Sequence, residues 1–186
     1  MDVLEIIDHF YPGDTALRRR LLKHSEQVCD KALELAAHAD EPVDRELVAA
    51  GAMLHDVGIV RCDAPGIDCH GDAPYIAHGT LGAKMLREYG VAHGLDLEAY
   101  ARICERHTGS GITAAEVRLQ QLPLEARDYL PETAEEALVC LADKFFSKSG
   151  DMAEKPLAKI RKAMLRFGPA SLERFDALCR RFEVTD

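Results

Sequence analysis

Four histidines and two aspartates carry the chemical signal of this chain: His24, the adjacent pair His55-Asp56, His78, His107 and Asp143. They lie far apart in sequence. Each falls within, or at the end of, a segment whose apolar residues recur at helical period, most of them on the apolar side. An imidazole or carboxylate facing a core is costly unless something pairs with it. Six such groups on five helices point to one shared partner, and one or two divalent metal ions are the simplest. Imidazole and carboxylate donors suit Mn, Fe, Co, Ni or Zn better than Ca or Mg. Neighbours on a helix project about 100° apart. His55 and Asp56 would therefore approach a metal from two directions, and the two oxygens of Asp56 could bridge two ions. Each residue alone means little, since a single histidine on an apolar face is more often a hydrogen-bonded core residue.

The elements that must position these groups read almost entirely as helix. A first helix over Val3 to Phe10 ends at Tyr11-Pro12-Gly13. Asp14 is expected to cap a long helix whose stripe is Leu17, Leu21, His24, Val28, Ala32 and Leu35. Asp44 caps the next, where Leu47, Val48, Gly51, Leu54 and His55 share a face and Gly58 is placed to end it in a left-handed turn. Ile59 to Tyr75, with Pro65, Gly66, Gly71 and Pro74, is a long loop of the kind that serves a site. His78, Leu81, Met85 and Tyr89 mark a helix with Gly90 just past its end. Asp96 opens one that carries His107 and closes at Thr108-Gly109, and Thr113 to Leu119 is a short helix. Thr133 and Glu136 form a capping box before the apolar run Ala137 to Phe146. Leu157 to Phe167 is another helix, stopped by Gly168-Pro169, and Ser171 caps the last. No strand, repeat or low-complexity tract is seen. The expectation is an all-α, compact helical bundle forming one domain over 1–186, with a core over about 15–148 and helices over 153–183 packed on it.

Composition narrows the function. A net charge of −9 argues against nonspecific nucleic-acid binding, but leaves room for an anionic small substrate because bound cations reverse the field inside a pocket. No apolar run reaches membrane-spanning length and the N-terminus has no export signal, so the expectation is a cytoplasmic protein without membrane contact. The six cysteines form no CxxC pair and read as reduced thiols, although Cys62, Cys69 and His70 share a loop in which a metal site is conceivable. There is no Gly-x-Ser-x-Gly and no phosphate-cradling Gly-rich loop.

The order H…HD…H…H…D, carried by LLKHSEQV, GAMLHDVGIV, YIAHGTLGAKMLREYG, ICERHTGSGIT and PETAEEALVCLADKFF, resembles the HD-domain phosphohydrolase superfamily. These stretches cover His24 to Lys148. In detail the chain looks most like an uncharacterised prokaryotic branch with an HDIG-type motif. More distantly it resembles the HD-type enzymes that split diadenosine tetraphosphate symmetrically. The resemblance implies that His24, His55, Asp56 and Asp143 hold one metal. His78 and His107 would hold a second with Asp56 as bridge, and His55 and Asp56 would be the catalytic centre. It implies a metal-dependent phosphohydrolase acting through metal-activated water on a nucleotide or other small phosphate ester, with no covalent phosphoenzyme.

Many relatives carry a basic residue soon after the glycine of this motif. Here Ile59 follows Gly58, and the nearest basic residue is Arg61. Arg61, Lys144 and Lys148 are the candidate phosphate contacts, with Thr108 shaping the pocket rim. Two rivals share the ligand string: a diiron oxygenase of the same superfamily, and a nucleotide sensor without catalysis. The helices after Gly150 are expected either to cover the pocket or to join a homodimer.

Overall fold

Residues 2–185 are described by a computed structural model, and nine α-helices account for most of them. α1 (Val3–Phe10) starts at Asp2, whose carboxylate accepts from the Leu4 and Glu5 amides. α2 (Ala16–Ala36) is capped by Thr15, not Asp14, because the Thr15 hydroxyl accepts from the Arg18 amide. α3 (Arg45–Leu54) is capped by Asp44 as expected. α4 (His78–His93) runs past Gly90 and ends at Gly94, which takes the left-handed conformation at φ 67°. α5 (Glu98–Arg106) and α6 (Ala114–Leu119) follow, the latter with a Thr113–Glu116 capping box. α7 (Ala134–Asp143) has the expected Thr133–Glu136 box, which starts it three residues before Ala137. α8 (Leu157–Leu165) leaves Phe167 beyond its end and exposed. α9 (Pro169–Arg181) begins on proline, whose missing N–H costs nothing at a first helical position. Ser171 is therefore a buried residue inside α9 rather than its cap, hydrogen-bonded to Ser110.

One short sheet departs from the all-helical expectation. β1 (Asp63–Ala64) and β2 (Cys69–His70) pair antiparallel, with Asp63 opposite His70. Two residues per strand are too few for an alternating pattern to register in sequence. Among the described residues no helix is long and apolar enough to cross a membrane.

The core has two parts. One joins Val28, Leu35, Val48, Leu138 and Leu141 to Ile160, Phe175 and Phe182, so the last two helices share a core with α2, α3 and α7. The other joins Ile6, Ile7, Leu21, Leu54, Ile59 and Leu86. The six polar residues lie where these parts meet. On α2, His24 stands between Leu21 of one part and Val28 of the other.

Candidate metal centre

α3 stops at Leu54, and the chain then tightens into a 3-10 turn over Val57–Arg61. His55 remains near helical geometry, whereas Asp56 moves to φ −106°, ψ 9°. The pair thus sits at a change of helix type, not within a regular helix, and both side chains are fully buried. Gly58 is not a left-handed cap. It lies inside the 3-10 turn, where an added Cβ would come within 2.1 Å of the His78 carbonyl oxygen and 2.4 Å of the Gly82 nitrogen. Only a residue without a side chain lets the turn carrying Asp56 press against the start of α4 carrying His78. Tyr11 pins the same turn from the other side. Its hydroxyl donates to the Val57 carbonyl at 2.7 Å and accepts from the Val60 amide at 3.1 Å.

All six side chains converge. His24 Nε2 is 3.0 Å from Asp143 Oδ1 and 3.3 Å from Asp56 Oδ2. His55 Nε2 is 3.2 Å from Asp56 Oδ2 and 3.5 Å from Asp143 Oδ1. On the other side of Asp56, the Nε2 atoms of His78 and His107 each stand 3.4 Å from Oδ1 and 2.9 Å from one another. Two potential ligand groups result, His24/His55/Asp56/Asp143 and Asp56/His78/His107, each with its donor atoms within 4.8 Å of one another. Asp56 belongs to both, one oxygen facing each.

Three histidines are held in the same way. The Nδ1 atoms of His55, His78 and His107 lie 2.6, 2.6 and 2.7 Å from the carbonyls of Ala52, Tyr75 and Cys104, three residues back in each case. A carbonyl can only accept, so Nδ1 carries the proton and Nε2 presents its lone pair to the centre. Metal-binding histidines are commonly oriented this way. For His78 and His107, two lone pairs then face each other across 2.9 Å, which calls for a cation. His55 Nε2 and Asp56 Oδ1 are buried without a partner of hydrogen-bond geometry, while Asp56 Oδ2 has the ion pair with Lys148. Orphaned donors of this kind fit a bound divalent ion.

Without a metal ion the charges of the centre balance one another, and the proton that His55 gains sits on Nε2, where an ion would displace it. Burial opposes ionisation of Asp56, but His55 and Lys148 outweigh it and hold the carboxyl well below its usual range. For Asp143, Lys144 and Lys148 do the same. Burial pulls the His55 imidazole down, yet Asp56 and Asp143 reverse this and raise it to about 9. His78 falls to about 3 through burial and then the neighbouring His107. Burial also lowers His107.

The centre borders a cavity of about 860 Å³. Thr108, Lys144 and Lys148 line it. Lys148 Nζ is 2.5 Å from Asp56 Oδ2; Lys144 Nζ is 2.5 Å from Asp143 Oδ2 and donates to the His107 carbonyl at 3.1 Å. Arg61 does not join them. It lies at the end of the 3-10 turn, exposed, with no part in the cavity lining. Sequence reasoning missed Tyr75, stacked on His78 with ring centroids 4.7 Å apart, and two further lysines, Lys155 and Lys159. The lysines had no signal, since one falls in an irregular connection and the other on the polar side of a helix. The Cys62/Cys69/His70 loop brings no metal group together among the described residues. Both thiols are buried, which pushes each up to about 11 and keeps them protonated, and His70 is exposed.

Comparison with known proteins matches residues 21–147 to the HD domain family model. Over 127 residues the chain is 39% identical to a tRNA (cytidine(56)-2'-O)-methyltransferase of Picrophilus torridus, covering 68% of this chain but 31% of that protein. It is 40% identical over 126 residues to an uncharacterized protein of Methanocaldococcus jannaschii, covering 66% of this chain and 64% of that one. A methyltransferase of the same name from Thermoplasma volcanium is 34% identical over 127 residues, 68% of this chain and 32% of that protein. The chain thus spans about a third of the methyltransferases and under two thirds of the third relative. Among solved structures, the HD domain of the L. monocytogenes phosphodiesterase PgpH superimposes with a TM-score of 0.56 at 18% identity, covering 98% of this chain and 92% of that one. At that identity the likeness concerns the fold alone.

Proposed function

The chain belongs to the HD domain family, and from that premise we propose that it is a metal-dependent phosphohydrolase acting on a nucleotide or other small phosphate ester. The observation that supports this most is the shared Asp56: one carboxylate with an oxygen turned toward each of two imidazole-rich groups, beside a lysine-lined cavity. His24, His55, Asp56 and Asp143 would hold one ion, and Asp56, His78 and His107 a second. Bound there, divalent metal supplies an activated water and positive charge for the phosphoryl oxygens. The chain's own residues do the rest. The Ala52, Tyr75 and Cys104 carbonyls keep three imidazoles in the Nε2-presenting tautomer. Lys144 and Lys148 set two ammonium groups between the carboxylates and the cavity, where they stabilise charge gathering on phosphate. The water oxygen bonds to phosphorus and the ester P–O bond breaks. One water proton ends on the departing oxygen and the other stays on the phosphate.

The methyltransferase name of two relatives belongs to proteins of which this chain matches about a third, and it is not carried over. A diiron oxygenase would use the same ligands. The lysine-rich wall favours an anionic substrate, and iron content with oxygen uptake separates the two chemistries. The test is elemental analysis of anaerobically purified protein, followed by a phosphatase screen over mono-, di- and dinucleoside polyphosphates. Asp56→Ala should lose both metal and turnover, because its two oxygens serve both groups. Full metal content and full activity in that variant would end the proposal.

A further inference from the structure

The cavity lysines are of two kinds. Lys144 and Lys148 already face the carboxylates of the metal centre. Lys155 does not. It is half-buried, and its Nζ donates to the Phe146 carbonyl at 2.6 Å. Among the described residues no carboxylate pairs with it. Its neighbour Glu154 pairs instead with Lys31, at 3.0 Å. Burial is the largest influence on Lys155 and draws its ammonium down to about 8, with Lys144, Lys148 and Lys159 pushing the same way against Asp143. Lys159, exposed on α8, also lines the cavity and has no acidic partner among the described residues. A half-buried cation without a counter-ion is costly. Lys155 is such a cation in the wall of a cavity, and with the exposed Lys159 and the paired lysines beside it, it makes a site that an anion would stabilise.

The same helix supplies an apolar surface. Ile160, Ala163 and Met164 of α8, with Phe167 beyond its end, line the cavity next to Lys159. All of these residues lie beyond residues 21–147, the segment that matches the family model.

We propose that Lys155 and Lys159 form a second anion subsite, and that the α8 face receives an apolar body. The substrate is then a diphosphate or longer phosphoanhydride on an apolar group, such as a nucleoside diphosphate, rather than a simple monoester. This rests on the phosphohydrolase reading of the metal centre, and its test is chosen to be separable from it.

The experiment is titration calorimetry on the full, Mn-loaded chain at fixed ionic strength, with metal content followed in parallel. The probes are orthophosphate, pyrophosphate and adenosine diphosphate. Pyrophosphate should bind more tightly than orthophosphate, and Lys155→Gln should reduce that preference about tenfold, the loss expected for one charged hydrogen bond. A melting curve checks that the variant stays folded without the Lys155–Phe146 hydrogen bond. Lys159→Gln should act in the same direction. Adenosine diphosphate should exceed pyrophosphate, and Phe167→Ala should erase part of that margin. If neither lysine variant changes the pyrophosphate preference, the subsite is refuted. If adenosine diphosphate binds no better than pyrophosphate, the apolar body is refuted. A lysine-dependent preference with no hydrolysis of any phosphate would uphold the subsite and overturn the phosphohydrolase reading. Monoester hydrolysis with no such preference would do the reverse.

Discussion

Gly58→Ala is the sharpest test of how this centre is built. The added methyl would stand 2.1 Å from the His78 carbonyl oxygen, 2.4 Å from the Gly82 nitrogen and 2.8 Å from its Cα. All three are backbone atoms, and Val57, Gly58 and Ile59 are buried, so no side chain can swing aside. Restoring ordinary contact requires the 3-10 turn and the start of α4 to separate by about 1 Å, and overpacking of this severity costs about 3 kcal/mol. For a chain of this size that corresponds to a melting temperature lower by roughly 6–12 °C. The separation falls directly on the line between Asp56 and His78, whose facing atoms are 3.4 Å apart. The group containing His78 and His107 should therefore lose its ion before the group containing His24. Thermal melting by circular dichroism and metal content by elemental analysis measure the two effects on the same sample. A variant that melts within 2 °C of the parent, on the same scale, and keeps its full metal content would refute the reasoning.

Three further outcomes follow from the same geometry. His78→Ala or His107→Ala should lower the metal stoichiometry while the helical spectrum stays unchanged; an unchanged stoichiometry would mean that only the other group binds. Tyr11→Phe removes a buried hydroxyl that bonds both Val57 and Val60, at a cost of about 1 kcal/mol per hydrogen bond, and should weaken metal retention as the turn under Asp56 loosens. Metal-free protein should show a pH signature from His55: its pKa is raised from 6.5 to about 9, so its stabilising contribution is complete below pH 6.5 and is lost as pH rises through 9. Asp56 and Asp143, held below 3.8, contribute above that value and lose their contribution on acidification. Since metal competes with the His55 proton, metal affinity should rise with pH toward 9, and melting scans with and without Mn at several pH values report both trends.

Much of this arrangement was legible beforehand because helical periodicity is a local property. The α2 stripe put His24 among leucines, and the Thr133–Glu136 box announced α7. What misled were residues whose role depends on a distant neighbour. Gly58 looked like a helix terminator, since a glycine after an apolar run commonly is one; its real constraint is the backbone of α4, twenty residues away. Thr15 competed with Asp14 for the same cap, and either side chain is suited to it. Arg61 looked like a phosphate contact by proximity to the His-Asp pair, but the tightened turn leaves it on the surface.

Taken alone, the amino-acid order determined the number and sense of the main helices, the types of donor atom they carry, and the placing of most of those donors on the inward side. All of that follows from contacts within a few residues of chain. Only the packed molecule decided that one oxygen of Asp56 faces each imidazole group, that three carbonyls choose the imidazole tautomer, and that Lys155 is left beside a cavity without an acid. Those facts depend on distances between segments up to 119 residues apart, such as His24 and Asp143, and no local pattern encodes them.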